Sequence, residues 1–241
     1  MFSVKSATSS YCYSFQLPAI IKSKEDIKIV YYYLNKLFNC SFKRGYFEEF
    51  IFNPELIQLL FGNDRISKQL YIQDCELMII NHYNENLFKF TLTHLVCQTL
   101  RVNIYKGIME KYKDGLFKIL TSGGNNFKQV NLWFNNSARN LDSDMQVEMF
   151  YDQIVEYIAT SKDCSKMAVS SIAFDSSIPT SFKLSDRAEK VEIKHFYGAG
   201  AKDTNYQITN IHNPKVKFSF CHQECAFAFL TFKVKINRIY K

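Results

Sequence analysis

Leu60 ends a helical apolar stripe, and Leu70 opens an alternating segment ten residues later. Leu120 and Val130 repeat that interval, and Ile158 and Ala168 repeat it once more. Helix–loop–strand units joined by one connection length restrict the possible folds more than any other feature of this chain. Units of that kind stack their strands side by side in a parallel sheet and lay their helices on it. They are unevenly spaced along the chain, and no Leu-x-x-Leu-x-Leu consensus runs through them.

The helices are marked by their ends as well as by their stripes. Ser23 is an N-cap with the carboxylate of Asp26 three residues on, placed to accept from free N–H groups. Ile27, Val30, Tyr31, Leu34, Leu37 and Phe38 follow at helical spacing. Asn53-Pro54-Glu55 starts a second helix: Asn53 caps it, Pro54 has the φ of a first turn, and Glu55 suits the positive end of the dipole. Leu56, Ile57, Leu60 and Phe61 form its apolar face, and Gly62 is placed as a left-handed stop. A third helix is expected over residues 105–120, with Ile108, Tyr112, Leu116, Ile119 and Leu120 inward, weakened by Gly115 and ended by Gly123-Gly124. A fourth carries Val147, Phe150, Tyr151, Ile154, Val155 and Ile158 in one continuous stripe.

Strands are read between and after these helices. Leu70 and Ile72 alternate with Tyr71 and Gln73, Phe88, Phe90 and Leu92 with Lys89 and Thr91, and Val130, Leu132 and Phe134 with Asn131 and Trp133. Ile172 and Phe174 end another run, and Val191 and Ile193 mark the next. Near the end Val216, Phe218 and Phe220, then Leu230, Phe232, Val234 and Ile236, alternate with polar residues, the pattern of a half-exposed antiparallel sheet. The fold class expected is α/β: leucine-rich-repeat-like stacked βα units forming a curved, largely parallel sheet, with an antiparallel β-rich C-terminal end. Residues 1–22 form an N-terminal arm. Residues 23–241 form a single domain, with βα units to about 195 and the β-rich end over 196–241.

Composition excludes several classes. With 47% hydrophobic and 16% aromatic residues the chain has apolar area enough for a core and is not a disordered polymer. Seven cysteines, odd in number and scattered, do not make a secreted disulfide framework. Met1 to Ile21 hold no apolar signal-peptide region, and no stretch approaches the ~18 apolar residues of a membrane span. These features imply a cytoplasmic or nuclear protein without membrane contact, in which the sequons at Asn39 and Asn135 are chance matches. The net charge of +7 is concentrated in residues 211–241, where Lys215, Lys217, Lys233, Lys235, Arg238 and Lys241 face one acid, Glu224.

Four stretches carry a family likeness: residues 33–40, 52–55, 157–167 and 210–219. Through them, residues 31–220 resemble the F-box-associated region of a protein group expanded in plant-parasitic, root-knot type nematodes. In that group an N-terminal F-box recruits a ubiquitin ligase and the region after it holds the target. The resemblance therefore implies a non-enzymatic, target-binding module. Leu17-Pro18 resembles an F-box opening, but residues 1–22 are too short for the ~40-residue helical module, so no ligase recruitment by this chain alone is expected.

No catalytic motif is present, and the candidate sites are weak ones. Cys221-His222-Gln223-Glu224-Cys225 has a C-x3-C spacing that zinc tolerates, with His212, His195 or Cys164 needed to complete a ligand set. No second ligand pair accompanies it, and the plain alternative is a turn holding reduced cysteines, so no metal or other cofactor is expected. Cys164, between Lys162 and Lys166, has the cationic neighbours that activate a thiol but no base near it in sequence. Gly123-Gly124 and Gly198-Ala199-Gly200 lack the residues of phosphate-binding loops and read as turns. Lys215, Lys217, Lys233, Lys235 and Arg238 admit three readings: phosphate contacts to nucleic acid, contacts to an acidic protein, or the solvated side of edge strands. Alternation places the aromatic residues of this segment opposite its lysines, which counts against base stacking. The expectation is a non-enzymatic protein-interaction domain whose partner is another protein. The alternatives are binding of nucleic acid or another polyanion through the basic strands and, third, a hydrolase with a spatially assembled site.

Overall fold

Local chemistry sets the helix ends. In the computed structural model, which describes residues 2–6, 12–15, 22–48, 53–62, 68–79, 85–105, 109–135, 141–164, 167, 171–176, 183–196, 201–225 and 231–240, Ser23 caps α1 (Lys24–Phe38). The Ser23 hydroxyl accepts from the Asp26 N–H at 3.1 Å and the Asp26 carboxylate accepts from the Ser23 N–H at 3.0 Å, which closes the expected capping box. Asn53 caps α2 (Pro54–Phe61) by accepting from the Glu55 N–H at 2.9 Å. Gly62 is not the left-handed stop expected, because its φ of −63° and ψ of −18° are right-handed. The third expected helix is displaced: α4 spans Met109–Ser122, Tyr105 still belongs to a strand, and Ile108 lies outside the described residues. Gly124–Asn126 form the turn expected after it. α5 (Leu141–Thr160) buries all six residues of its sequence stripe.

One expected strand is a helix. Phe88, Phe90 and Leu92 lie on α3 (Glu85–His94), where Leu87, Phe88, Phe90, Thr91 and His94 are buried. Those positions fall at i, i+1, i+3, i+4 and i+7, a helical face that contains a short stretch of period-two alternation by accident.

The strands are β1 (Phe2–Ser6), β2 (Cys12–Phe15), β3 (Ser41–Glu48), β4 (Leu70–Ile79), β5 (Leu95–Tyr105), β6 (Phe127–Asn135), β7 (Ser171–Ser176), β8 (Glu189–Phe196), β9 (Ala201–Thr209), β10 (Lys217–Cys225) and β11 (Thr231–Ile239). They form one sheet in the order β2-β1-β3-β4-β5-β6-β7-β11-β10-β9-β8. β3 to β7 are parallel neighbours in chain order, with α2, α3, α4 and α5 as the crossovers between them. β7 then pairs antiparallel with β11, and β11, β10, β9 and β8 continue antiparallel. The antiparallel part thus begins with β8 at Glu189, earlier in the chain than the expected boundary at 196. Strands of the 1–22 segment, β1 and β2, add an antiparallel hairpin to β3.

Sequential parallel strands joined by helices place those helices on one face. α2 packs on α3, α3 on α4 and α4 on α5, while Tyr31 of α1 stacks on Phe61 of α2 at 5.0 Å. The strand side chains beneath them are buried in continuous rows. One row runs Gly45, Cys75, Leu100, Val130, Ile172, Ile236, Phe220 and Tyr206 across eight strands. Gly45 occupies its place in that row because a Cβ there would lie 2.5 Å from Cδ1 of Ile72.

The repeat visible in this sheet differs from the one expected. Leu70 is level with Leu95, whereas Val130 is level with Leu100 and Cys75, so the ten-residue interval joins strand positions at different depths. Ala168 lies outside the described residues. The structural repeat is instead a shared slip in alternation. Phe42-x-x-Gly45-x-Phe47, Ile72-x-x-Cys75-x-Leu77, Cys97-x-x-Leu100-x-Val102 and Phe127-x-x-Val130-x-Leu132 are in register on four adjacent strands. All these positions are buried, and the two residues inside each slip face outward or are half-buried.

Candidate functional site

Among the described residues the helices cover one face of the sheet and the other is open. On β4 the burial alternates so that Leu70, Ile72, Cys75, Leu77 and Ile79 are buried while Tyr71, Gln73, Asp74, Glu76 and Met78 are not. Three outward rows follow from the pairing register. Tyr46, Glu76, Arg101 and Asn131, and beyond β7 Lys235, Cys221, Asn205 and Glu192, form the middle one. Beside it, Met78, Asn103 and Trp133, and beyond β7 Lys233, Gln223 and Asp203, form another. The third runs Arg44, Asp74, Thr99 and Gln129 and, beyond β7, Asn237, Ser219 and Gln207.

Trp133 stands near the centre of this surface and is the only tryptophan of the chain. It is 49% exposed although it lies on a central strand. Its surroundings are ordered by side-chain hydrogen bonds. Asn103 Nδ2 donates to Glu76 Oε1 at 2.6 Å and lies 3.3 Å from the Met78 sulfur, and Gln129 Nε2 donates to Asn131 Oδ1 at 2.9 Å. Cationic side chains occupy the middle of the face, with Arg101 on β5, Lys233 and Lys235 on β11 and Lys217 on β10. Asp74 and Glu76 lie toward one margin, and Asp203, Glu189 and Glu192 toward the other.

The five basic residues singled out in the sequence therefore divide. Lys217, Lys233 and Lys235 share the open face. Arg238 has the parity of Val234 and Ile236, faces the helix side and lies over the Tyr240 ring at 5.7 Å. Lys215 is in the turn before β10 and is exposed. Trp133 shares the lysines' face, so aromatic and cationic groups do meet here, contrary to the expectation from alternation within the last strands. The strands that supply Trp133 and the lysines are nearly one hundred residues apart, and only the order β6-β7-β11 brings them together.

The C-x3-C segment is not a turn but lies inside β10. Cys221 is on the open face, where burial and then Asp203 push its thiol pKa up. His222 is on the helix face and only 4% exposed. Its Nε2 lies 2.8 Å from the Tyr151 hydroxyl and 3.0 Å from that of Tyr206, and the two hydroxyls are 2.7 Å apart. Two hydroxyl protons serve three contacts in this triangle, so only two of them are hydrogen bonds at any moment. Burial lowers the His222 pKa to about 4 and raises that of Tyr206 to about 12. The cluster is an internal polar tie between α5 and the antiparallel strands. Cys221 and His222 point to opposite faces, which prevents a shared chelate, and the side chain of Cys225 lies outside the described residues. Among the described residues no group of three or more His, Cys, Asp and Glu could hold a metal ion. His195 lies on exposed β8 and His212 in an exposed turn.

Cys164 is buried behind the end of α5, and burial raises its pKa despite its lysine neighbours in sequence. Asn210 closes the same region. Its Nδ2 donates to the carbonyls of Ile158 at 2.8 Å and Ser161 at 3.0 Å, and its Oδ1 accepts from the N–H groups of His212 and Asn213, both at 2.9 Å.

Among the described residues no helix is long and apolar enough to cross a membrane. Residues 1–105 match the family description of DUF8381, a domain of unknown function. The match ends with the last residue of β5. No curated protein matches the chain, and no solved structure does.

Proposed function

We propose that this chain is a non-enzymatic protein-interaction domain that holds its partner on the open face of the sheet, with Trp133 as the main anchor. The observation that carries this reading is a half-exposed tryptophan in the middle of a rigid sheet, framed by polar side chains already held in place. A large aromatic that is ordered before binding loses little entropy on binding, and such residues dominate interface energies. Parallel βα units with helices on one side resemble the leucine-rich-repeat arrangement, whose uncovered strand face is its usual binding surface. The aligned apolar-x-x-apolar-x-apolar slip on four strands supports that likeness, with Phe, Ile, Cys, Val and Gly in place of leucine. A target-binding role agrees with the resemblance to F-box-associated regions.

A second reading rests on one specific observation, that Trp133, Arg101, Lys233 and Lys235 share a face. Cations and a ring on one sheet face suit a polyanion such as single-stranded nucleic acid. One experiment addresses both. The parent and a Trp133→Ala variant are each immobilised in native extract, and retained protein and nucleic acid are identified. A protein retained by the parent and lost from the variant supports the first reading. Retention of nucleic acid that weakens steeply with salt and with Lys233→Glu/Lys235→Glu favours the second. Because Trp133 is the only tryptophan, its emission reports binding of the purified partner directly. A partner that binds without changing that emission, and equally well to Trp133→Ala, would place the surface elsewhere.

A further inference from the structure

β8 ends the sheet, and among the described residues it pairs on one side only, with β9. All eight of its residues are exposed. Charged residues on such a strand are ordinary protection against edge-to-edge pairing. Val191, Ile193 and Phe196 are not, and Ile193 is 53% exposed. Lys190, with a positive φ of 54°, lies in a bulge between Glu189 and Glu192, and beyond it the strand pairs regularly from Glu192 to Phe196. We propose that β8 is a self-association edge, on which β8 of a second copy pairs antiparallel about a two-fold axis at Ile193.

The charge pattern selects that register. A two-fold axis that joins two antiparallel edge strands stands perpendicular to the sheet. It therefore keeps both helix layers on one side and passes through a residue, since paired side chains share a face. Centred on Glu192, the pairing sets Glu192 against Glu192 of the second copy and Lys190 against its Lys194. Centred on Lys194, it sets the two Lys194 residues together. Centred on His195, it sets Lys194 against Phe196 and the two His195 residues together. Centred on Ile193, it places Glu192 against Lys194 twice and the two Ile193 side chains face to face. A centre on Val191 would pair Lys190 with Glu192, but Lys190 lies in the bulge. Among centres within the regular stretch the Ile193 register alone makes opposite-charge cross-strand pairs, which stabilise, where the like-charge pairs of two others repel. On the helix side, Met145 and Met149 of α5 are exposed and share a stripe with Glu156, which meets Arg187 just before β8 at 3.9 Å. They supply apolar surface beside the joined edge.

Sedimentation equilibrium of the full chain at up to about 100 µM, a range that detects weak dimers, tests the proposal. The parent is expected to show a monomer–dimer equilibrium. Glu192→Lys turns both cross-strand pairs into Lys–Lys contacts, and Lys194→Glu turns both into Glu–Glu contacts. Each is expected to weaken dimerisation about tenfold or more. The double variant Glu192→Lys/Lys194→Glu restores opposite charges in swapped order and is expected to return the dissociation constant to within about threefold of the parent's. A parent that stays monomeric throughout, or single reversals that leave the dimer intact, would overturn the proposal. So would a double variant as weak as the singles. Circular dichroism and melting of each variant separate a lost dimer from a lost fold.

Discussion

Asn210 joins two segments that are about fifty residues apart in the chain. Its amide satisfies carbonyls left open at the end of α5, and its oxygen organises the turn that leads to β10. It is 2% exposed, so water cannot replace these partners. Asn210→Ala is expected to destabilise the fold by about 2–4 kcal/mol, since buried carbonyls and N–H groups lose their partners together. Asn210→Asp should be worse, because a carboxylate would face the Ile158 and Ser161 carbonyls. Urea denaturation of the two variants checks the size and the order, and an Asn210→Ala variant as stable as the parent would mean these groups find other partners. Residues such as this are hard to read in a sequence. Asn210-Ile211-His212-Asn213 has the composition of any turn, and the partners that give Asn210 its role are known only once α5 is folded against β9. His222 was legible as a chemically capable residue for the same reason that its role was not. A histidine beside a cysteine resembles a ligand until Tyr151, 71 residues away, is found against its Nε2.

At the scale of elements, the helices with chemically marked ends were the legible ones. Ser23 and Asn53 define α1 and α2 because a cap is a contact between near neighbours. α3 and β5 were not legible because they abut, His94 ending the helix and Leu95 starting the strand, with no turn residue between them. A short helix rich in Phe and Leu then reads as a strand, and the true strand behind it has no visible start. β3 and β9 were missed because each mixes small, charged and aromatic residues without a long clean alternation. Gly115 illustrates how packing overrides propensity. Within α4 it weakens the isolated helix, but a Cβ there would lie 2.6 Å from Cγ of the Phe88 ring on α3. Glycine is therefore the residue that lets the two helices approach. Gly115→Ala gains up to about 1 kcal/mol of helix propensity. Displacing the ring is expected to cost more, for a net loss of about 1–2 kcal/mol. Chemical denaturation of Gly115→Ala, Phe88→Leu and the pair provides the check. The two changes should be non-additive, the smaller side chain relieving part of the alanine's effect, whereas strict additivity would show that the helices are not in tight contact at this point.

At the scale of the whole molecule, the α/β class and the mixture of parallel and antiparallel strands were legible from alternating patterns. The joining of both parts into one sheet was not, because it depends on β11 pairing with distant β7 on the side away from β10. That closure buries His222 in the second half of the molecule while α3 buries His94 in the first, and both consequences appear in the dependence of stability on pH. Burial lowers the pKa of His222 from an ordinary 6.5 to about 4, and lowers that of His94 in the same direction, partly offset by its Nδ1–H donating to the Lys68 carbonyl. Above about pH 7.5 these histidines are neutral in both folded and unfolded chains and add no slope. As the pH falls from 6.5 toward 4, the unfolded chain takes up protons that the folded one refuses, so stability falls. His222 alone accounts for a loss that approaches about 3 kcal/mol at the acid end. Burial raises the Asp152 pKa, and a carboxyl shifted that way favours the folded state on acidification. It is the opposite sign, but Asp152 is largely exposed and its contribution is screened by solvent. Melting temperature should therefore begin to fall near about pH 7.5, drop steadily between about pH 7 and 4.5, and stay level above about 7.5. His222→Gln retains a polar group for Tyr151 and Tyr206 but cannot titrate, so it should lower stability at neutral pH and flatten the acid slope by nearly one proton. A variant that keeps the parent's full slope would mean that His222 takes up its proton in the fold as readily as in the unfolded chain. The triangle with the two tyrosines would then admit an imidazolium as the pH falls below about 6.5, and the tie between α5 and the antiparallel strands would become ionic in character only on acidification.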